Sequence, residues 1–208
     1  MPRTADSFNR PKSRYKPQPT LLVICEDSKS GKRYLKDASY HFRVDVNVEI
    51  THCGNTDSIG IVNEAIASQS KFDQVFCVID RDNHPSFDEA LVKAKTSKKV
   101  GVIASYPCFE FWLLLHFVHT RRPYTSVGNA SAGDRLIREL RTHPGMENYA
   151  KGDERSIFEL LLEGKFNFAR KEAPKILREA LAVGEMNPST AVHELIDLFE
   201  KLSKPQPI

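Results

Sequence analysis

The sequence predicts an α/β fold, a Rossmann-like parallel sheet of about four strands flanked by helices, followed by an all-helical C-terminal region. Short apolar runs at 20–25 and 74–79 have polar residues on both sides, as strands buried on both faces do. Segments with helical spacing alternate with these runs, which favours parallel strands joined by crossover helices. After about residue 121 the patterns are helical only.

Two further strands and four helices complete the predicted α/β part. Residues 44–50 alternate apolar and polar side chains, which is strand periodicity, and 100–104 form another short apolar run. Asp57 or Thr56 is a suitable N-cap for the second helix. The predicted helices cover 30–40, 57–70, 85–97 and the strongly apolar segment 108–119.

The chain is predicted to have three parts: a basic N-terminal tail at 1–19, an α/β domain at 20–120 and a helical region at 121–208. A stretch rich in Gly, Ser and Asn near the start of the third part indicates a linker. The helices predicted after it cover 132–142, 153–163, 164–182 with an interruption at Pro174, and 189–203.

Composition indicates a globular protein of the cytoplasm. Of 208 residues, 40% are hydrophobic and 27% charged, and the net charge is only +3. No apolar run reaches the ~20 residues of a membrane helix, so we expect no membrane contact. Four cysteines without a CxxC pair favour reduced thiols over a zinc site. The tail carries five basic residues against one acid within 1–16, and it could contact phosphates or simply be solvated.

Three acids follow the two most apolar strands. Glu26 ends the first run, and Asp80 and Asp82 end the run at 74–79. Ligands bind at the carboxyl ends of parallel strands, and acids gathered there would repel one another without a cation. Oxygen ligands without a His or Cys cluster suit Mg²⁺ or Mn²⁺. The alternative is that the Asp pair caps the next helix.

Glu110 and His84 are further candidates near this edge. Glu110 is a lone acid in an apolar stretch, and a buried carboxylate needs a partner. It could serve the site, or interact with the dipole of the helix that it starts. His84 follows the Asp pair and could orient a phosphate or a water, or cap the next helix.

Six basic side chains are candidates for nucleic-acid binding. Lys29, Lys32 and Arg33 form a basic segment next to Glu26 that lacks the spacing of a P-loop. The others lie in the helical region and would bind nucleic acid if that region covered the carboxyl edge of the sheet. For Lys29, Lys32 and Arg33 a solvated helix start is equally plausible, and for the other three a solvated helix surface is the more usual explanation. Those in the helical region are Lys151, Arg170 and Lys171.

A Glu on the first strand and Asp-x-Asp after the third resembles the Toprim fold of topoisomerases, primases and related nucleases. More closely, the chain resembles the RloB family, named for its association with restriction loci. The resemblance spans nearly the whole chain after residue 20. The segments that carry it are 22–27, 76–85, 106–116, 149–151 and 187–190.

This resemblance implies an Mg²⁺-dependent nuclease of bacterial antiphage defence that cleaves RNA such as tRNA, or DNA. It implies a separate ABC- or AAA-type ATPase as partner, and a homo-oligomer is compatible with it. By the family pattern Glu26, Asp80 and Asp82 are metal ligands, and Glu110 is a site residue.

The chain departs from the family pattern at one position. The pattern has a second Glu where this chain has Gly31, so the number of metals stays open, and Asp27 could replace that Glu. The departure also motivates an alternative function, a non-catalytic subunit that binds nucleic acid or a partner through a degenerate Toprim site. A phosphotransferase acting on a small molecule is a third hypothesis, although no nucleotide motif supports it.

Overall fold

Five strands form one sheet within residues 15–81 and 85–205, the part of the chain that the computed structural model describes. Their spatial order is second, first, third, fourth, fifth. The first four are parallel, and the fifth runs antiparallel to the fourth. The strands are β1 (Leu21–Cys25), β2 (Val48–Thr51), β3 (Gln74–Asp80), β4 (Val100–Tyr106) and β5 (Ser189–Thr190).

The sequence predicted the four parallel strands but not β5. A two-residue strand shows no periodicity, and β5 arises because Ser189 and Thr190 pair with Tyr106 and Ser105. The expectation of helices only after residue 121 was therefore wrong at this point. The second strand begins at Val48 rather than at 44, because the chain turns before it.

Eight helices surround the sheet in the described ranges. The fourth is five residues long, shorter than predicted, and the seventh continues through Pro174, where we expected an interruption. Buried Ala169, Ala173 and Ile176 hold the seventh helix in the core on both sides of the proline. The helices are α1 (Ser30–His41), α2 (Ser58–Ser68), α3 (Phe87–Ala94), α4 (Glu110–Leu114), α5 (Ala132–Leu140), α6 (Ile157–Leu162), α7 (Phe166–Val183) and α8 (Val192–Leu202).

Side-chain caps fix the starts of several helices. Asp57 accepts a hydrogen bond from the Gly60 N–H at 3.0 Å, which confirms it as the N-cap of α2. At the start of α5, Ser131 and Asp134 form a capping box. None of the helices in the described ranges is long and apolar enough to cross a membrane.

The two faces of the sheet bury separate apolar cores. Leu22 and Ile24 of β1 face the core under α2 and α3. Leu21 and Val23 face the other way, because neighbouring strand residues point to opposite sides. This second core is shared with α1, α4 and the later helices, and includes the fully buried Trp112. The helical region therefore packs onto the face of the sheet that also carries α4.

A buried histidine links α1 to the segment after α4. The Nδ1 of His116 donates to the Trp112 carbonyl at 2.9 Å, and its Nε2 lies 3.3 Å from the Tyr34 hydroxyl. The ring is therefore neutral, with Tyr34 donating to Nε2. Burial lowers the pKa of His116 to about 4. The two histidines of this segment serve the fold, since His119 pairs with Glu172 at 2.7 Å.

We predict that His116 makes the protein less stable in mild acid. The pKa is lower in the folded state, so the unfolded chain takes up a proton first as the pH falls. The free energy of unfolding should drop between about pH 6.5 and 4, by up to about 3 kcal/mol from this residue. Urea unfolding at several pH values measures it. The variant His116→Gln should show a shallower pH dependence, and equal slopes would contradict the prediction.

Candidate active site

Three acids meet at the carboxyl edge of the sheet. Glu26 follows β1, Asp80 is the last residue of β3, and Glu110 opens α4 shortly after β4. Because β1, β3 and β4 are adjacent parallel strands, their carboxyl ends share one edge. The structure thus brings together two of the predicted metal ligands and the lone acid of the apolar helix.

The contacts of Glu26 and Asp80 show how close they are. The Glu26 Oε2 accepts a hydrogen bond from the backbone N–H of Asp80 at 3.1 Å. The Asp80 carboxylate is buried near the backbone N–H of Phe109, which favours its charged form. Burial raises the pKa of Asp80 well above its usual range, and the negative charges of Glu110 and Glu26 raise it further. The edge therefore concentrates negative charge in a poorly solvated place.

Glu110 has found the partners that its burial demands. Only 1% of its side chain is exposed. Tyr149 donates a hydrogen bond to Oε1 at 3.1 Å, and the Lys151 ammonium lies 3.6 Å from Oε2. Oε2 has no hydrogen-bond partner within the described residues. Glu110 is thus held at one oxygen by a hydrogen bond and balanced at the other by charge.

Lys151 places a positive charge beside Glu110. Burial opposes the charged form, but the carboxylates of Glu110 and Asp80 outweigh it, so the pKa of Lys151 is raised. Its side chain is 43% exposed, which leaves the ammonium open to a ligand from solvent. Lys151 was predicted to bind nucleic acid, and the structure places it beside the acids.

The chemistry of these residues suits a metal site. The described residues supply only some of the predicted ligands. Carboxylate oxygens are the ligands that Mg²⁺ and Mn²⁺ prefer, and crowded acids are what a cation relieves. Glu26 and Asp80 are the predicted ligands that the structure describes, whereas Asp82 and His84 lie outside the described residues. Across 15–81 and 85–205, no group of three or more His, Cys, Asp or Glu side chains is arranged to hold a metal.

Asp27, which could replace the missing second Glu, caps α1 instead. Its carboxylate accepts from the backbone N–H groups of Lys29, Ser30 and Gly31 at 2.7, 2.5 and 3.2 Å. Gly31 is buried, and a Cβ there would lie 3.4 Å from the ring of Phe109. The departure from the family pattern therefore falls where α1 packs closely against the segment that leads into α4.

The predicted basic segment supports the turn that carries Lys151. The Arg33 guanidinium donates to the carbonyl of Asp153, and the Lys29 stem packs against Gly152. Lys32 is half-buried on α1 and close enough to lower the pKa of the Cys25 thiol slightly, against the larger effect of burial. Arg33 therefore has a structural partner, while Lys29 also helps to position the turn.

Arg170 and Lys171 are placed differently from each other on α7. Arg170 forms ion pairs with Asp197 and Glu200 of α8, each at 2.5 Å, and these contacts join two helices. Lys171 is exposed. For Arg170 the structure thus shows a packing role between helices, and nothing joins it to the acids among its described contacts.

Sequence reasoning overlooked His52 and gave Tyr149 no role. His52 follows β2 at the same edge, and its Nδ1 donates to the carbonyl of Cys25, next to Glu26, at 3.0 Å. The predicted strand ended at 50, so His52 was not recognised as a strand-end residue. Tyr149 lies 39 residues after Glu110, a separation that no local pattern can bridge.

Comparison with family models finds one match, to the model described as RloB-like protein, over residues 21–199. This chain belongs to the RloB-like family. The match begins at the first residue of β1 and ends within α8, and it therefore includes every acid and base of the site just described. No curated protein and no solved structure gives a significant match to this family member.

We predict that Lys151 stabilises the folded protein by balancing Glu110. Lys151→Met should lower the free energy of unfolding by about 1–2 kcal/mol, because it leaves a buried carboxylate unpaired while solvent screens part of the effect. Urea unfolding measures the change. Lys171→Met, which removes an exposed lysine, should change it by less than about 0.5 kcal/mol.

A second variant separates the ion pair from the loss of a lysine. In the background of Glu110→Gln, Lys151→Met should cost at least about 0.5 kcal/mol less than it does in the natural chain. Equal costs in the two backgrounds would show that the two charges are not coupled.

Proposed function

We propose that this chain is a metal-dependent nuclease that hydrolyses phosphodiester bonds of RNA, such as tRNA, or of DNA. The observation that carries the proposal is the convergence of Glu26, Asp80 and Glu110 at the carboxyl edge of a mostly parallel sheet. A Glu after the first strand and an Asp after the third, on neighbouring strands, also support a Toprim-type assignment for the sheet.

Glu26 and Asp80 would hold the metal, with Mg²⁺ or Mn²⁺ as the ion. When bound, such an ion supplies charge stabilisation on the phosphate and a more acidic water. The chain's own residues prepare the place for it. The Asp80 carboxylate is buried beside the other two acids, and the Asp80 N–H holds the Glu26 carboxylate by a hydrogen bond.

Lys151 has a second task in this proposal. Its ammonium is partly exposed beside Glu110, so a phosphate approaching the acids meets a positive charge at the same place. Electrostatic groups of this kind act most strongly where water is excluded, as at this edge. Tyr149 keeps Glu110 in place, so that Lys151 is held by a fixed partner.

The biological setting is part of the proposal and rests on family membership. We propose that the nuclease is the toxic effector of an antiphage system and is controlled by a partner ATPase of the ABC or AAA type. The chain itself contains no P-loop sequence, so ATP-dependent control would come from another subunit.

We predict metal-dependent cleavage of nucleic acid that requires Asp80. The purified chain, alone and with its candidate partner ATPase, is incubated with tRNA and with DNA in Mg²⁺, in Mn²⁺ or in EDTA. Cleavage should occur only with the metal, and Asp80→Asn should reduce its rate by about 100-fold or more.

The control is Asp45→Asn, which neutralises an exposed acid in a turn before β2 and should leave the rate unchanged. If the natural chain never cleaves, or if Asp80→Asn cleaves as fast as Asp45→Asn, the nuclease proposal is wrong.

A non-catalytic binding subunit is the competing candidate, and Lys151 is the observation that favours it. The ammonium already offsets the charge of Glu110 without a metal. In that case the chain would bind nucleic acid in a salt-sensitive manner. The binding of nucleic acid would survive loss of all three acids, and titration calorimetry would detect no binding of Mg²⁺.

A further inference from the structure

A cleft of about 290 Å³ opens at the carboxyl edge of the sheet, at the ends of β3 and β4. Its lining includes Arg81, which follows Asp80 directly, and Tyr106 at the end of β4. Tyr124, Ser126 and Asn187 also line it. The cleft thus begins where two of the site-bearing strands end.

Part of the cleft lining is held in place by hydrogen bonds between Tyr124 and Asn187 and by a bond to Glu139. Asn187 donates from Nδ2 to the Tyr124 carbonyl at 2.7 Å and accepts from the Tyr124 N–H at 3.2 Å. The Tyr124 hydroxyl donates to Glu139 at 2.9 Å. A site whose walls are fixed before binding loses less entropy when a ligand enters.

The Arg81 guanidinium and the Tyr106 ring both pack against the ring of Phe87. The Arg81 guanidinium lies 5.1 Å from the centre of the Phe87 ring, and Tyr106 packs edge-on against the same ring at 5.4 Å. The Arg81 backbone N–H donates to the Ser105 carbonyl at 2.8 Å, which keeps this residue aligned with β4. Arg81 also lies 3.5 Å from Asp88, which is largely exposed.

The chemistry of the lining suits one class of ligand. Among the described residues, it combines an arginine, tyrosine rings and hydroxyl groups, and includes no acidic side chain. Arginine binds phosphate, and an aromatic ring stacks on a base of any sequence. The volume lies just below the usual range for small-ligand sites and would admit one nucleotide rather than a helix.

We propose that this cleft binds one unpaired nucleotide of the substrate, next to the phosphodiester bond that is hydrolysed at the acids. Tyr106 stacks on the base, and Arg81 contacts its phosphate. The inference rests on the proposed function and deepens it, because it makes single-stranded segments, loops or ends the preferred substrate. A base within a duplex has both faces covered by its neighbours and offers none to Tyr106.

The test measures binding without cleavage. In full-length protein carrying Asp80→Asn, fluorescence anisotropy follows labelled strands of about ten nucleotides, in RNA and DNA form. Each strand is offered as a single strand, as a duplex, and as a single strand lacking bases. The single strand with bases should bind most tightly. Tyr106→Ala should weaken its binding about tenfold and leave the duplex and the strand without bases unchanged.

Two matched pairs of variants separate stacking and charge from folding. Tyr106→Phe keeps the ring and should bind like the parent. Ser126→Glu adds a negative charge to an exposed cleft residue and should weaken binding, whereas Ser70→Glu, on the exposed 3₁₀ turn before β3, should not. Circular dichroism shows that each variant is folded.

The outcomes distinguish the cleft from the catalytic proposal. Binding that depends on Tyr106, together with no cleavage by the natural chain, would support the cleft and reject the nuclease. Cleavage with equal single-strand binding by Tyr106→Ala and its parent would reject the cleft alone. Equal binding of strands with and without bases, or no binding of any strand, would also reject it.

Discussion

Repulsion among three carboxylates at one edge of the sheet constrains the rest of the molecule, which has to supply compensating groups around them. The backbone brings Glu26, Asp80 and Glu110 together, since their strands are neighbours, and the core leaves them little water. Buried like charges are costly unless they are paired or hydrogen-bonded. The N–H of Asp80, the hydroxyl of Tyr149 and the ammonium of Lys151 supply that compensation.

Two of the compensating groups, Tyr149 and Lys151, come from the helical region rather than from the strands that carry the acids. Lys151 sits on a turn that α1 holds through Arg33 and Lys29. Within that turn, Arg155 forms an ion pair with Asp153 at 2.6 Å. The start of α1 is itself fixed by Asp27. Arg33 and Lys29, which the sequence suggested for phosphate binding, thus also help to position Lys151.

The features that could be predicted from the sequence depend on interactions between residues close together in the chain. Buried strands such as β1 and β3 are visible as apolar runs, and the Asp57 cap is a local contact. The need of Glu110 for a partner was also predictable from its apolar neighbours. The identity of that partner was not, because Tyr149 and Lys151 reach it only through the tertiary fold.

The elements that the sequence did not predict have the same explanation. The strand β5 exists only because Thr190 meets Ser105 across 85 residues, with their hydroxyls 2.9 Å apart. His52 became recognisable as a residue of the site edge only when the end of β2 was known. In both cases the deciding contact joins segments that are distant in the chain.

The order of the charges along the chain has a consequence for synthesis. A ribosome makes a chain from its N-terminus at about 5–20 residues per second, so all three acids emerge before Lys151 does. Until then the acidic edge has no counter-charge from the turn, and the core face that it shares with α5 to α8 is uncovered. The site can therefore take its final form only once the helical region has been synthesised. The order of its residues along the chain thus sets when the site becomes complete.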